Sequence, residues 1–441
     1  MDTLRVDVAV IGGGACGTMT ALRAARNPDL TVAVFEKSTR EGCNAQISSG
    51  SLAAGGTSFQ RAAGVVDSPE QHAEEILDSS GDLELADLVL ALCRAAPEYV
   101  EWLARDLGYP VELGLDMPRA GMSVPRLHTD AGRRGGRRLM GHLRAALTRM
   151  DNVAFVDESP AVGLLTGTRG VEGAVVTQNG DRTEVRARHV VLACDGFAAN
   201  PALMREHCAL LGDPFYGGVS TSTGDAVGWL VELGVELRHL GACLRHGLVV
   251  DGHGTRLSPA LPFYGAVLVG ADGRRFVDET SVGYSGLAGV LQARPGHRAV
   301  LIWDEHAMAA IGESELMRES VAAGAFRGYA DAPAVAGAFG LDPSAVAESL
   351  RARDRALAPP FYAATVTHGV LATQGGAVVD ADGRPRTTSG TTIPGLRAGG
   401  GTAVGLTGPD SAGYLSGNGL LAAFALGWRI GNGIAAEPDR R

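Results

Sequence analysis

The stretch Val6-Asp7-Val8-Ala9-Val10-Ile11-Gly12-Gly13-Gly14-Ala15-Cys16-Gly17 decides the fold. Val6 to Ile11 is a short apolar run rich in β-branched side chains, the pattern of a buried parallel strand. Gly12 to Gly17 match G-x-G-x-x-G, and Thr18 to Arg26 repeat alanine and leucine at helical spacing. A second run, Thr31 to Phe35, ends on Glu36, about 20 residues past Gly14. Gly12 permits the tight turn, Gly14 lets backbone approach a pyrophosphate, and Gly17 lets helix and strand pack closely. The helix N-terminus favours the anion, and Glu36 is placed to accept hydrogen bonds from a ribose. Strand, turn, helix, second strand and acid fall in one register, which predicts a dinucleotide site. The acid disfavours a 2′-phosphate, so NADP is not expected.

Working outward, 441 residues suggest two or three domains with a substantial core. The formal net charge is −10, with no basic arm, which argues against a nucleic-acid partner. Of 39 basic residues only Lys37 is a lysine, so the arginine excess reads as coding bias. No apolar run approaches the roughly 18 residues of a membrane helix. The N-terminus enters a strand directly, without a signal-peptide layout. The 6 cysteines are scattered without a C-x-x-C pair and read as reduced thiols. No histidines stand at metal-ligand spacing. A cytoplasmic protein without a membrane span or metal is expected. Its 62 glycines, roughly twice the ordinary share, call for an explanation.

Glu41-Gly42-Cys43-Asn44 leads into Ser48-Ser49-Gly50-Ser51-Leu52-Ala53-Ala54-Gly55-Gly56. Small and hydroxyl residues at this density suit a loop against a flat ligand, with Ser48 or Ser49 as donors. Val153 to Val191 reads as short strands with turns at Gly167, Gly170 and Asn179-Gly180. Val190 to Phe197 is a strand running into a glycine turn. Ser222-Thr223-Gly224-Asp225 opens a helical pattern, and Ile393 to Gly401 is another strand-to-glycine turn. Gly417-Asn418-Gly419-Leu420-Leu421 precedes a final helix through Trp428. Ala95, Tyr99, Trp102 and Leu103 recur at helical spacing and predict a packed helix face.

This ordered set resembles the flavoprotein superfamily of fumarate reductase, succinate dehydrogenase and 3-ketosteroid Δ1-dehydrogenase. The likeness runs through the N-terminal fingerprint, S-L-A-A-G-G, L-A-x-x-G-F, T-G-D, G-x-R-F-x-x-E at Gly273 to Glu279, and I-P-G-L. It implies an α/β protein: a discontinuous Rossmann-like FAD-binding domain with an inserted α+β capping domain. The expected boundaries are 1–242 and 366–441 for the FAD-binding domain and 243–365 for the cap, with substrate between cap and flavin. The implied FAD contacts are Gly12, Gly14, Ala15, Gly17, Glu36, Lys37, Asn44, Ser48, Ser49 and Gly50. They continue through Ala54, Gly55, Gly56, Val162, Ala193, Asp195, Gly196 and Asp225 to Gly400, Gly401, Gly417, Asn418 and Leu420. Gly50 stands where the succinate dehydrogenase branch carries its flavin-bonded histidine, so non-covalent FAD is implied. Gly401 stands where the family often has glutamate, and Asp195 where it has glycine.

The resemblance also shows what the substrate site has lost. The fumarate branch delivers its proton from an arginine four residues after the G-x-R-F-x-x-E glutamate; here that position is Gly283, followed by Tyr284. Tyr414 takes the place of a clamping arginine, and Ala372-Thr373-Gln374-Gly375-Gly376 lacks the histidine of H-T-M-G-G. His246 falls near the superfamily's substrate histidine. A dicarboxylate would meet an uncompensated desolvation cost here, so the substrate end near the flavin is expected to be neutral. Tyrosines at or beside two arginine sites resemble the ketosteroid branch, where one removes a proton beside a carbonyl and another hydrogen-bonds its oxygen. Tyr284, Tyr414, His246 and Tyr264 are the implied catalytic set.

The expected function is FAD-dependent desaturation of a neutral carbonyl compound beside its ketone, with an unidentified electron partner. The alternatives are an ene-reductase of an unsaturated carbonyl compound or acid, and a flavin-binding redox sensor without turnover. Denatured protein is expected to release intact FAD into the supernatant; flavin that stays with the chain after acid precipitation contradicts the Gly50 reading.

Overall fold

The computed structural model describes residues 2–115, 119–130, 132, 135–283 and 285–438. Tyr284 therefore lies outside the described residues. The opening motif folds as read: strand β1 (Asp2–Ile11), helix α1 (Ala15–Ala24) and strand β2 (Val32–Phe35). β1 pairs in parallel with β2 on one edge and with Asp181–Leu192 on the other. Val153–Val156 extends the parallel set beyond β2. The other edge of Asp181–Leu192 is shared. Its first half carries the antiparallel strands Gly170–Gln178 and Ala161–Gly167, while its last residues pair in parallel with Leu396–Ala398.

The shared register matters. Ile11 stands opposite both Phe35 and Leu192, and Leu192 opposite Ala398. Four parallel strand ends therefore stop at one level, and the turns after Ile11, Leu192 and Ala398 face one crevice. Ligands of open α/β sheets bind there, beyond the carboxyl ends of the strands. The sheet core, Val8, Val10, Val34, Val190 and Val191, is buried, as β-branched residues packed on both faces should be.

Among the described residues, a second sheet of six strands is built on the long strand Phe361–Thr373. Phe215–Tyr216 pairs with it in parallel, and Cys243–Val250, Arg298–Asp304 and Arg327–Tyr329 pair antiparallel. Its strands thus run from residue 215 to 373, overrunning the interval 243–365 at both ends, because Phe361–Thr373 continues without a break towards the flavin-side loops.

The final helix spans Asn418–Ala436, longer than the pattern through Trp428. By length and composition it is apolar enough to cross a bilayer, a property the sequence scan did not credit to it. Leu421, Phe424, Ala425 and Ile430 are buried in the main core, and Arg429 is held by Asp382 at 3.0 Å. It is built as a core helix. Gly427 and Gly431 bring it against α1: a Cβ at Gly427 would lie 2.6 Å from Cys16 O. The Tyr99 stripe is a packed face, as expected, on helix Ala86–Arg105, with Trp102 against Trp428 at 5.4 Å. The Arg23 guanidinium sits 3.8 Å from the Trp428 ring centroid, a cation–π contact.

Several buried histidines are held neutral. Burial, aided by neighbouring guanidinium groups, pushes His72 and His368 down to about 4 and His246 to about 3; burial alone lowers His128 to about 4. A histidine depressed below its ordinary value of 6.5 binds fewer protons folded than unfolded between those values. Its contribution is intact above pH 6.5 and is lost as pH falls towards 4. Thermal melts from pH 7 to 4.5 at fixed ionic strength should therefore show a falling melting temperature already above pH 5; a flat profile there contradicts the assignment.

Candidate functional site

The crevice beyond the strand ends is a cleft of about 1210 Å³, counting its open mouth. Gly12, Gly14 and Ala15 line it at the α1 end, and Gly400 and Gly401 opposite. Gly12 has φ +104°, and a Cβ there would lie 2.3 Å from Ala193 O, so only glycine lets this turn cross the neighbouring strand end. Gly17 does not line the cleft; its Cβ would fall 1.9 Å from Gly12 O, which explains the third glycine by helix–strand packing. A Cβ on Gly14 would meet nothing nearer than Cys43 Cβ at 3.7 Å, so this backbone faces open space. Gly14 is also the N-cap of α1 and supplies no side-chain cap, which leaves that helix end suited to an anion.

Glu36 lies in the cleft wall, held by two backbone amides: Gly13 N–H donates to Oε2 at 2.6 Å and Ser38 N–H to Oε1 at 3.0 Å. Each oxygen retains a lone pair for a ribose hydroxyl. Lys37 Nζ reaches across to Asp225 at 2.9 Å and Thr223 Oγ1 at 2.6 Å, tying the first motif to T-G-D. Asn44 Nδ2 donates to Asp195 Oδ2 at 2.7 Å, and Val219 N–H donates to Asn44 Oδ1 at 3.1 Å. Burial raises the Cys43 thiol to about 11 and those of Cys16 and Cys194 to about 12, so the cleft's thiols are neutral.

Two departures from the family pattern meet in space. Asp195 adopts φ +66°, and its Oδ1 would stand 2.4 Å from a Cβ on Gly401. That carboxylate and the Gly196 backbone nitrogen, 2.8 Å from the same Cβ, together leave no room for a side chain at 401. Ser222 Oγ donates to Asp195 Oδ2 at 2.5 Å, and Thr402 Oγ1 donates to Asp195 O at 3.1 Å. Asp195 thus sets a carboxylate in the cleft wall facing Gly401.

Of the expected cofactor residues, Lys37, Asn44, Ser48, Ala193, Asp195, Asp225 and Leu420 join the glycines, Ala15 and Glu36 in the cleft wall. Ser49 and Gly417 line a second cavity instead. Gly50 packs on Gly135 and Gly136, and Gly196 on Thr373, where a Cβ would come within 2.0 Å of Oγ1. Gly55 backs onto Ser68 and Asp67, beside the buried Arg126–Asp67 pair at 2.8 Å. Ala54 and Gly56 are in the same loop, outside the cleft wall. Asn418 is buried and bonds Leu406 O at 3.5 Å. Val162 is 44% exposed, and its neighbour Ala161 lines the cleft in its place.

The second cavity, about 1420 Å³, abuts the first. Asn44, Ser48, Leu244, Ala372, Tyr414 and Leu420 line both, so this uncharged seam is where two occupants would touch. Tyr414 Oη accepts the Gly419 N–H at 3.0 Å. Tyr264 lines the second cavity, together with Arg119, Arg256 and Glu315. The sequence reading missed these three, since two arginines and one acid from separate segments of a charged chain carry no pattern. His246 is placed off this cavity, in a side recess shared with Gly283 and Arg119. Leu248 N–H donates to His246 Nδ1 at 3.0 Å, so the neutral ring carries its proton on Nε2. With its value near 3, it is a poor base.

The cleft, with bare glycine backbone at both ends and a carboxylate held for a ribose, has the donor set that FAD requires. The fold and site define a dinucleotide-binding flavoenzyme. A family profile described as "FAD binding domain" matches residues 7–420; the chain belongs to this family, and FAD is its cofactor. It is 27% identical over 450 residues to NADH:fumarate oxidoreductase of Klebsiella pneumoniae (strain 342), covering 97% of this chain and 47% of that protein. The chain thus spans about half the length of that relative. Its fold matches the open conformation of a flavocytochrome c3 fumarate reductase, with TM-score 0.81 and 24% identity over 98% of this chain and 78% of the other. It also matches 3-ketosteroid delta1-dehydrogenase from Sterolibacterium denitrificans, with TM-score 0.78 and 21% identity over 98% and 99%.

Gly401→Glu should strip FAD, because its Cβ meets both Asp195 Oδ1 at 2.4 Å and the Gly196 backbone nitrogen at 2.8 Å. Adding Asp195→Gly removes only the first of these contacts, so the double variant should stay empty. The flavin-to-protein ratio after gel filtration checks this; a double variant that retains FAD contradicts the backbone contact.

Proposed function

We propose that this flavoenzyme is a CH–CH oxidoreductase that desaturates a carbonyl compound beside its ketone. The observation that carries the reading is Tyr414 on the uncharged seam between the cofactor cleft and the second cavity. Bound FAD supplies hydride acceptance, or donation in the reverse direction.

The chain's part is to hold and polarise the carbonyl. The Gly419 N–H to Tyr414 Oη bond orients the phenol and strengthens its hydroxyl as a donor. A carbonyl oxygen bonded there carries developing enolate charge more easily, which acidifies the neighbouring C–H. Tyr264, in the same cavity, is the described tyrosine available to take that proton; Tyr284 is the further candidate that the family likeness implies. His246 is assigned no proton transfer. The absence of charged side chains from the seam, among the described residues, supports a neutral group at the reacting end, in line with glycine at 283 and tyrosine at 414.

A second reading, reduction of an unsaturated acid, is favoured by Arg119 and Arg256 in the wall of the second cavity. Arg256 Nη2 donates to Ile47 O at 2.6 Å, which fixes one arm of that guanidinium. Anaerobic mixing separates the two. Saturated cyclic ketones should bleach oxidised enzyme, whereas reoxidation of photoreduced enzyme by enoates alone supports the reductase. Tyr414→Phe should lower turnover by about 100-fold, the usual cost of removing one oxyanion donor, with FAD content unchanged. Unaltered turnover contradicts the assigned role.

A further inference from the structure

Two of the 6 cysteines meet in space: Cys208 Sγ stands 3.7 Å from Cys243 Sγ. Cys208 closes the short helix Pro201–His207, and Cys243 opens the strand Cys243–Val250. Both are buried, but they face different ways. Cys208 keeps 4% exposure among the exposed residues Glu206, Ala209 and Leu210, whereas Cys243 has none. Cys243 lies on the flavin side. Its neighbour Leu244 lines both cavities at the seam. Its N–H donates to Ser411 Oγ at 3.0 Å, in the short turn Ser411–Gly413 that leads into Tyr414.

The pair also sits beside a cation without a counter-ion. Arg245 is buried, and no carboxylate pairs with it among the described residues. Its Nη2 donates to Ala288 O at 3.3 Å, Gln292 Oε1 at 2.7 Å and His368 Nδ1 at 3.4 Å, all neutral acceptors. Its Nε has no partner among the described residues. Burying a guanidinium in this way is costly unless an anion offsets it. The ionisable group that it meets is Cys243, and each favours the charged form of the other. Burial pushes Cys16, Cys93 and Cys194 up to about 12 and Cys43 to about 11. The Cys208 thiol is lowered instead, because the Cys243 S–H bonds its sulfur.

We propose that Cys208 and Cys243 form a redox site that a hydroperoxide closes to a disulfide, and that closure shifts the flavin-side wall at Leu244. The Cys208 thiolate attacks one peroxide oxygen: an S–O bond forms, the O–O bond breaks, and the departing hydroxide takes a proton to leave as water. The Cys243 sulfur then attacks Cys208. The S–S bond forms, the S–O bond breaks, and a second water leaves with the remaining proton. The sulfurs together lose two electrons, and the peroxide gains them. Arg245 is a positioning residue that supports the charge at the Cys243 end. The sulfurs must close from 3.7 Å to about 2 Å, and Cys243 cannot move without drawing on Leu244. Hydrogen peroxide is a product of reduced flavins with dioxygen, so a peroxide-sensitive pair beside the cofactor wall would register idle oxidation.

The test uses FAD-loaded protein treated with hydrogen peroxide, quenched, and alkylated in denaturant with iodoacetamide. Two of the 6 thiols should be lost, and a digest without reductant should yield one peptide pair joining Cys208 to Cys243. Dithiothreitol should return both thiols. After desalting, the visible flavin band should shift in the linked protein and revert in the reduced one. Cys208→Ser should abolish both the linkage and the shift. Arg245→Gln should slow linkage about tenfold, and Arg245→Lys should restore most of the rate, because a nearby cation raises the thiolate fraction. All 6 thiols surviving peroxide in wild-type protein overturns the site, as does oxidation of Cys208 that leaves Cys243 free. A linked protein with an unshifted flavin band overturns the coupling through Leu244. Linkage as fast in Arg245→Gln with full FAD content overturns the role of the cation.

Discussion

Strand Asp181–Leu192 hydrogen-bonds to β1 along one edge and to Leu396–Ala398 along the other, and the site depends on that double pairing. It sets three chain crossings, after Ile11, Leu192 and Ala398, at one level. Each crossing then turns through glycine: Gly12 beneath Ala193, Gly196 against Thr373, Gly401 against Asp195. Residues nearly four hundred apart in sequence become neighbours because backbone bonds of the ladder hold them in register. The bare Gly401 is a local consequence, since the Asp195–Gly196 turn on the facing crossing leaves no room for a side chain there.

The fold and the cofactor cleft were largely legible from sequence, because both rest on short-range patterns. The run Val6–Ile11, the glycine turn and Glu36 are close in the chain, and each is required by backbone geometry. The glycines of 50–56 and Gly196 show where that reasoning ends. They are glycine because other backbone or side-chain atoms press on them, as Gly50 meets Gly135, and a sequence does not distinguish that pressure from a bound ligand. The longer reach of the second sheet was hidden for a similar reason. Phe361–Thr373 crosses from the cap-like strands to the flavin-side loops without a turn residue to mark the passage.

The second cavity was legible only in part. Glycine at 283 and tyrosine at 414, where the family likeness expects arginine, imply an uncharged reacting end; the seam's described residues carry no charged side chain. What the sequence concealed is that charge lies elsewhere in the same cavity. Arg119, Arg256 and Glu315 come from separate segments and meet only through tertiary packing. His246, a candidate substrate contact by the family likeness, lies in a side recess where burial keeps it neutral. Proximity to a motif does not say whether a titratable group keeps the water it needs to act.

The packing of the last helix on the first has a consequence for the order in which the cleft can assemble. Gly427 and Gly431 lie against α1, and Leu396–Ala398 completes the ladder beside Leu192. A chain that has made only the nucleotide fingerprint lacks the opposite wall, Gly400 and Gly401, so the flavin cleft becomes whole only once that later segment has docked.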